Sequence, residues 1–311
     1  MAISRASIAK ELLPGLNAVF GLEYGEVNNE HEALFEVENS DRAFEEEVMF
    51  TGFATAPVKG EGSAVSYDTA QETYVSRYTN ETVALAFAVT EEAMEDNLYD
   101  TFSKLRARGL ARAMVNTKQV KAADVFNNGF STAPSYIGGD GAAFFSASHP
   151  TVSDGIQSNL AAAADLSEAS LETIITNIQK IEDDRGILIG ANAVSLHIPP
   201  DLWSTADQIL HSPGTTVAGG TGDGTYAQNN INAIRHMGMI PEGFMVNRRF
   251  TDVNAYFIKT DVPNGAKMFV RVPLQTKMEP DFDTGNLRFK ARERYSFGFS
   301  DWRSYVGSQG T

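Results

Sequence analysis

The longest uninterrupted helical pattern in this chain of 311 residues runs from Thr90 to Asn128 and contains no proline. Thr90 is the predicted N-cap, acidic residues follow it, and lysines lie near the other end, an order that suits the helix dipole. An apolar stripe recurs every three or four residues, at Met94, Leu98, Phe102 and Leu105. At about 1.5 Å per residue such a helix is roughly 58 Å long. This length predicts an elongated protein organised around one helix.

The charge balance excludes several classes of function. The formal net charge is −15 at pH 7 and the pI is about 4.8. A chain this acidic repels DNA and anionic membrane surfaces on average, because proteins bind both through lysine and arginine. Hydrophobic residues make up 42% and charged residues 21% of the chain, which is typical of globular proteins. The length favours about two domains.

The chain contains no cysteine, so disulfides, thiolate nucleophiles and cysteine-ligated zinc are excluded. No stretch of the sequence approaches the ~20 consecutive apolar residues of a membrane span. The N-terminal segment lacks the apolar run of a signal peptide. These features predict a protein that is made and used in a cytosol.

Two segments precede the long helix. The acidic segment Glu26–Glu47 has little periodicity, and two interpretations stay open: a solvated, loosely ordered arm, or an arm that orders only against another subunit. Residues 51–89 predict an extended hairpin whose flexible middle contains Gly60 and Gly62. Its predicted return strand is Glu81–Val89, where large apolar residues alternate with threonine and alanine.

A second compact region with α/β character is predicted over residues 165–260. A helix begins near Ser170 and carries a stripe of isoleucines, and Ala193–Ile198 is a buried strand followed by two prolines. Asp201 is the predicted cap of a further helix, which has Trp203 on its apolar face.

The C-terminal strand alternates along most of its length. From Leu287 to Phe299 apolar residues face one way, and Glu293 is the one break in their row. The other face is a basic row that comprises Arg288, Lys290, Arg292 and Arg294. A hairpin turn at 283–286 connects this strand to the preceding one. The basic row is either a solvated strand face or a docking surface for an acidic segment, within or between subunits.

The sequence offers no convincing catalytic or metal site. The histidines lack metal-binding spacings, and Asp281–Asn286 lacks ligands that a calcium loop requires. Gly219–Gly224 lacks the ending of a phosphate-binding loop, and the carboxylates of 182–184 are expected in a solvated turn. His149 and Asp154 lie among serines, which keeps a hydrolase as a remote alternative although the G-x-S-x-G elbow is missing. We therefore expect no enzyme, no cofactor and no metal.

Four blocks of sequence carry a resemblance to a known family. They are TNETVALAFAVTEEAMEDNLYD at the entry to the long helix, GAAFFSASHP, IPPDLWSTADQIL, and the ending RFKARERYSFGFSDWRSYVG. In order and spacing they resemble the major capsid (head) proteins of tailed bacteriophages, and within them the Mu-like major head subunit group. The likeness covers residues 79–307.

The resemblance implies an α+β chain with the HK-ninety-seven-like capsid fold. Its implied parts are an N-terminal arm (1–52), an extended loop or hairpin (53–80), a peripheral domain (81–164) with a spine helix (90–128), an axial domain (165–260), and C-terminal strands that return to the peripheral domain (261–311). Many relatives carry a scaffolding segment that a protease removes. Because the resemblance places the fold almost at Met1, we expect no such segment here.

The implied function is structural. The resemblance implies self-assembly as hexamers and pentamers into an icosahedral phage head, which encloses packaged double-stranded DNA without sequence-specific binding and without membrane contact. Implied partners are other copies of the chain, a separate scaffolding protein and a portal, with room for a cement protein. The implied location is the virion capsid, assembled in the cytoplasm of the host bacterium. An encapsulin-type nanocompartment shell protein is the closest alternative.

Two surfaces are candidates for contacts between subunits. The hairpin contributes Pro57, Lys59, Glu61, Tyr67 and Arg77, and the C-terminal strand contributes Arg288, Lys290, Arg292 and Arg294. Some relatives crosslink a loop lysine to an asparagine of a neighbour. Lys59 is suitably placed for such a bond, but the sequence indicates no acidic catalyst for it.

Overall fold

The structure, a computed structural model, describes residues 17–25, 29–90, 92, 99–152, 155–214, 231–281 and 284–311. Its helices are α1 (17–25), α2 (Glu30–Leu34), α3 (Tyr99–Asn127), α4 (Glu168–Gln179), α5 (Trp203–His211) and α6 (Ala233–Met237). Its strands are β1 (Glu36–Asn39), β2 (Phe44–Phe50), β3 (Glu72–Thr79), β4 (Glu81–Val89), β5 (His149–Pro150), β6 (Ile156–Gln157), β7 (Ala193–Ile198), β8 (Phe244–Val246), β9 (Tyr256–Thr260), β10 (Ala266–Pro280), β11 (Leu287–Phe299) and β12 (Tyr305–Ser308). This mixture of helices and strands agrees with the expected α+β class.

Helix α3 ends at Asn127, within the predicted stop, and the one stripe residue whose side chain is described, Leu105, is not buried. Leu105 is 65% exposed, while the side chains of the other three stripe residues lie outside the described part of the chain. The buried positions include Ala107, Ala111 and Ala123 alongside larger apolar side chains. Small side chains let a helix approach a sheet closely, so α3 contacts β4 and β11 along its buried side.

The first sheet has the strand order β1-β10-β11-β4. β10 and β11 form a long antiparallel hairpin, whose turn requires the left-handed conformation of Gly285, at a φ of 68°. The alternation predicted for β11 is present: Leu287, Phe289, Ala291 and Tyr295 are buried. The sheet therefore presents one face to α3, whereas its other face is open to solvent near Arg288 and is covered by Tyr78 of β3 near Phe269.

The hairpin that precedes the long helix has a different return strand from the predicted one. β2 pairs with β3 antiparallel, whereas β4, the predicted return strand, pairs with β11 in the first sheet. β4 alternates as predicted, but Leu85 is 49% exposed. Residues 51–71 connect β2 to β3 without forming regular strands of their own.

The acidic segment is folded into the body of the protein over most of its length. β1 pairs in parallel with β10, and Leu34 and Phe35 are 1% and 2% exposed. The hydroxyl of Tyr305 donates a hydrogen bond to the carbonyl of Leu34. The interpretation as a solvated, loosely ordered arm is therefore wrong for residues 29–47, because this segment supplies a strand and two core side chains; residues 26–28 lie outside the described ranges.

The second sheet has the strand order β12-β9-β7-β8 and packs against α4, α5 and α6. It includes the predicted strand Ala193–Ile198. The last strand, β12, pairs with β9 of this sheet, whereas β10 and β11 belong to the first sheet. The chain crosses from β11 to β12 through a short 3-10 helix, Trp302–Ser304.

Two helices of the second sheet differ from expectation at their N-terminal ends. α4 begins earlier than predicted, with a capping box between Ser167 and Ser170. Before α5, Pro200–Leu202 forms a 3-10 turn, and Asp201 makes no cap. Trp203, predicted on the apolar face, is 58% exposed.

Aromatic side chains fill the space between α3 and the two sheets. Phe126 of α3 packs edge-on against Phe257 of β9 and Tyr305 of β12, with ring centroids 5.3 Å and 4.9 Å apart. Phe144 and Phe145 stack beside them at 4.5 Å. In the described part of the chain, no helix is both long and apolar enough to cross a membrane.

Candidate inter-subunit surfaces

The loop 51–71 presents apolar side chains to solvent. Val58 is 100% exposed and Tyr67 95%, and Phe53 and Val65 are both 64% exposed. The predicted contact residues Pro57, Lys59 and Glu61 are exposed on the same loop. Exposed apolar groups clustered in one segment are typical of a binding surface, and among the described residues none covers these side chains.

The base of this loop is closed by hydrogen bonds. The Thr51 N–H donates to the Gln71 carbonyl at 2.9 Å, and the Ala54 N–H donates to Asp68 Oδ2 at 2.7 Å. The Arg185 guanidinium also donates to both carboxylate oxygens of Asp68, each at 3.1 Å. The N–H groups of Ala54 and Thr69, and then Arg185, hold the pKa of the Asp68 carboxyl below its usual value.

Arg77 lies on β3 and belongs to the folded stem of the hairpin. Its guanidinium is 3.8 Å from the centre of the Phe44 ring, and its Nε is 3.8 Å from Glu46 Oε1. Both contacts are exposed and lie within the same hairpin. Arg77 therefore stands apart from the other predicted loop residues, which are beyond the stem.

The basic row lies on the solvent face of the first sheet. Arg288, Lys290 and Arg292 are exposed, and they stand opposite Ala88, Ala86 and Ala84 of β4. All three alanines are exposed. On the other side, Lys290 stands opposite Lys277 of β10. A row of positively charged side chains on β11 therefore lies beside a row of exposed alanines on β4, the edge strand of the sheet.

The row is not uniform along β11. Arg288 forms an ion pair with Asp281. Arg294 is only half-exposed, and its Nε is buried without a hydrogen-bond partner among the described residues. The structure therefore brings together Arg288, Lys290 and Arg292 as one exposed surface and leaves Arg294 at its inner end.

Glu293, the break in the apolar row, has a structural partner that the sequence did not identify. Its Oε2 lies 2.7 Å from Lys118 Nζ of α3 and accepts a hydrogen bond from Tyr24 of α1 at 3.1 Å. Burial, and then the Glu293 charge, raise the pKa of the Tyr24 hydroxyl. A lone carboxylate in an otherwise apolar strand face was the available signal that a buried cation lay opposite.

The histidine considered for catalysis is a buried structural residue. His149 is fully buried, with Nδ1 at 2.6 Å from Asp140 Oδ2 and Nε2 at 3.0 Å from Asn159 Oδ1. Its ring stacks on Trp302 at 4.2 Å. Both ring nitrogens are engaged, so neither is available to take a proton from a serine. Asp154, the predicted orienting carboxylate, lies outside the described residues.

The remaining candidate sites give no ligand-binding geometry. Gly219–Gly224 lies outside the described residues, and Asp281 and Gly285 form backbone hydrogen bonds that are typical of a hairpin turn. Asp184, expected in a solvated turn, is buried against Arg303 at 2.7 Å. Within the described ranges, no group of three or more histidines and carboxylates is arranged to hold a metal ion.

Comparisons with protein families and with solved structures identify proteins that this chain resembles. The family described as phage capsid protein matches residues 73–307. No curated protein sequence matches significantly. Similar solved structures include the virus-like particle from Pyrococcus furiosus, 9% identical over 96% of this chain and 99% of that chain, with a TM-score of 0.53.

Two further structures come from phages. The structure from Mycobacterium phage Adephagia is 12% identical over 100% of this chain and 99% of that chain, with a TM-score of 0.52. The procapsid of bacteriophage JBD30 is 13% identical over 98% of this chain and 76% of that chain, with a TM-score of 0.52. At these identities the structures establish the fold, and the sequence match establishes the family. The chain therefore belongs to the phage capsid protein family, as a structural major capsid protein with the HK-ninety-seven-like fold and not an enzyme.

Proposed function

We propose that this chain assembles as hexamers and pentamers into the icosahedral head of a tailed phage, which encloses packaged double-stranded DNA. The observation that carries the proposal is the loop 51–71, with apolar side chains such as Val58 and Tyr67 almost fully exposed. A shell is stable when a modest contact is repeated between many copies, so a loop of this kind needs no high pairwise affinity.

The loop is long enough to reach a neighbouring subunit. At ~3.3 Å per residue, a loop of this length that folds back on itself reaches roughly 30 Å from its base. Two of its glycines, Gly60 and Gly62, lie midway along the loop, and Gly62 has a positive φ of 79°. We infer that Val58, Lys59, Glu61 and Tyr67 contact the adjacent subunit, where burial of their apolar atoms stabilises the shell.

The basic row is the surface that we assign to an acidic, extended segment of a neighbouring copy. Arg288, Lys290 and Arg292 supply charge, and the alanines opposite them on β4 allow a second backbone to approach closely. β4 is an edge strand of the first sheet, so its outer backbone groups are not paired within that sheet. Charge complementarity of this kind fixes the register of a contact more than its strength.

The same proposal places the other components. The net charge of −15 argues against tight binding of the packaged DNA, so the genome is enclosed by the wall without being gripped. A separate scaffolding protein, a portal and a cement protein are the partners expected of such a head. Assembly takes place in the cytoplasm of the bacterial host. The division into an N-terminal arm, extended loop, peripheral domain and axial domain is part of this proposal.

Replacement of residues 55–67 by a short Gly-Ser linker tests the central claim. The linker spares Ala54 and Asp68, which close the base of the loop, and it spares β3, whose Tyr78 is buried. We expect a folded subunit, by circular dichroism and thermal melting, that no longer forms rings or shells in negative-stain microscopy. Intact shells from this variant would refute the role of the loop.

An encapsulin-type shell is the second candidate, because the virus-like particle from Pyrococcus furiosus has the same fold along nearly the whole chain. The two candidates differ in contents. Particles purified from infected cells and filled with nuclease-protected DNA support the phage head, whereas particles filled with one co-purifying enzyme support a nanocompartment.

A further inference from the structure

The turn 183–187 is built as a rigid support. Asp183 Oδ1 accepts the N–H groups of Arg185 and Ile187, at 2.8 Å and 2.9 Å. Gly186 adopts a positive φ of 77°, which favours glycine at this position. The side chain of Arg185 is therefore held outside the turn by a network that fixes the backbone beneath it.

This turn is anchored to the core of the protein. Arg303, whose side chain is 2% exposed, donates to Asp184 Oδ1 at 2.7 Å and to the Glu182 carbonyl at 3.1 Å. Gln157 donates to the Asp183 carbonyl at 2.8 Å. Charged hydrogen bonds between buried groups are strong and directional, so the turn cannot shift without breaking them.

The outer end of the turn holds the base of the exposed loop. The guanidinium of Arg185 donates to both oxygens of Asp68 and, at 2.7 Å, to the carbonyl of Thr69. Gly52 lies so close to this turn that an added Cβ would be 2.8 Å from Asp183 Oδ2. Contacts thus run from the core through Arg303, the turn and Arg185 to both ends of the loop.

We propose that Arg185 is a positioning residue for assembly, which aims the loop 51–71 away from its own subunit by holding Asp68 and Thr69. The inference rests on the proposed role of the loop in contacts between subunits. Without Arg185 the loop keeps its apolar side chains and its closing hydrogen bond from Ala54 to Asp68, but it samples many directions. An unfixed loop loses more conformational entropy on binding, so the contact between subunits weakens.

The test compares Arg185→Ala with Arg235→Ala, which removes an exposed arginine from α6 of the same part of the protein. Both variants are studied where the unmodified chain forms rings or shells. We expect Arg185→Ala to exchange the amide hydrogen of Ala54 roughly tenfold faster, since one charged anchor is lost. We also expect the thermal midpoint of Arg185→Ala to equal that of the control. Its yield of assembled particles should be at least roughly threefold lower.

A second variant separates the two levels of the proposal. This variant is the Gly-Ser replacement of residues 55–67, which removes the part of the loop that Arg185 is proposed to aim. If the replacement abolishes shells but Arg185→Ala assembles like Arg235→Ala, the positioning role is wrong and the function of the loop stands. If the replacement itself leaves shells intact, the function of the loop is wrong.

Discussion

At the scale of single residues, the buried pair of Lys118 and Glu293 connects α3 to β11. The two side chains are 14% and 2% exposed, and Glu293 Oε1 has no further hydrogen-bond partner among the described residues. Removing one member of such a pair leaves an uncompensated charge, which costs more than the pair contributes. The contribution of Glu293 is therefore orientation of the helix on the sheet.

We predict that Lys118→Met destabilises the subunit by about 3 kcal/mol in urea denaturation, because the Glu293 carboxylate stays buried without its cation. The double variant Lys118→Met, Glu293→Leu should recover most of that loss. The matched control is Lys121→Met on the same helix, whose partner Glu81 is 62% exposed, and this change should stay within about 1 kcal/mol. Equal losses in the single variants at positions 118 and 121 would contradict the prediction.

A second residue-scale prediction concerns pH. Burial, and then the charge of Lys118, lower the pKa of His31 to about 4, whereas the unfolded chain titrates near 6.5. Between about pH 6.5 and pH 4 the unfolded state binds more protons, so the free energy of unfolding falls as the pH falls. Gln119 fits the neutral ring, since its Oε1 accepts the backbone N–H of His31, which leaves its amide nitrogen, 2.9 Å from Nδ1, to donate to the ring.

Urea midpoints measured from pH 7 to pH 4.5 check this expectation. The unmodified chain should lose on the order of 2 kcal/mol more than a His31→Gln variant across that range, because the carboxylates titrate alike in both proteins. His197, whose pKa burial and then Lys259 lower to about 3, contributes in the same direction in both. Parallel pH profiles for the two proteins would show that His31 carries none of the dependence.

At the scale of elements, the solvent face of the first sheet has the clearest link to assembly. Arg288 is already paired with Asp281, and Arg294 is half-buried, so Lys290 and Arg292 are the positions that test the surface without disturbing the subunit. The double change Lys290→Glu, Arg292→Glu should shift the thermal midpoint little, since surface charges contribute about 0 to 1 kcal/mol each.

The expected effect of that double change is a lower yield of shells, with stronger loss at low salt, because a reversed field repels an acidic segment. Lys180→Glu with Arg235→Glu is a matched control that alters net charge equally at exposed positions elsewhere. Particle yield is measured by sedimentation and microscopy. Equal yields for the two double variants would identify the basic row as an ordinary solvated face.

Elements with strong periodicity were predictable from the sequence, and elements defined by distant partners were not. β7 and the alternation of β11 were recognised because their apolar residues recur with the period of a strand. β1 was missed because four residues, mostly polar, become a strand only by pairing with β10, far along the chain. β4 alternates so clearly that it was taken for the return strand of the hairpin, a role that belongs to β3.

For the candidate surfaces too, features set by local sequence were predictable, and features set by distant partners were not. The loop 51–71 was found because exposed tips are rich in glycine and poor in core residues. The ion pair between Asp68 and Arg185 was beyond reach, because nothing local in either segment specifies a partner over a hundred positions away. Leu105 and Trp203 were assigned to buried faces by spacing alone, and both are exposed in the structure.

At the scale of the whole molecule, the aromatic cluster couples the two sheets. Phe126 of α3 contacts residues of β9 and β12, and Tyr305 reaches back to Leu34 of α2. β12 thus belongs to the second sheet, while the side chain of its residue Tyr305 packs in the aromatic cluster beside the first sheet. A chain connected in this way is expected to unfold as one cooperative unit, although its length favours two domains.

The two tryptophans make this expectation measurable. Trp203 is exposed on α5, and Trp302 is buried in the aromatic cluster, so a Trp203→Phe background isolates the fluorescence of the cluster. Fluorescence and circular dichroism should then report the same urea midpoint. Phe126→Ala should lower the midpoints of both signals together, through a loss of about 3 to 5 kcal/mol in the free energy of unfolding, whereas Val120→Ala on the exposed side of α3 should change them little. If Phe126→Ala instead splits the transition into two, with circular dichroism persisting after the fluorescence change, the sheets unfold independently and the cluster is only a contact between them.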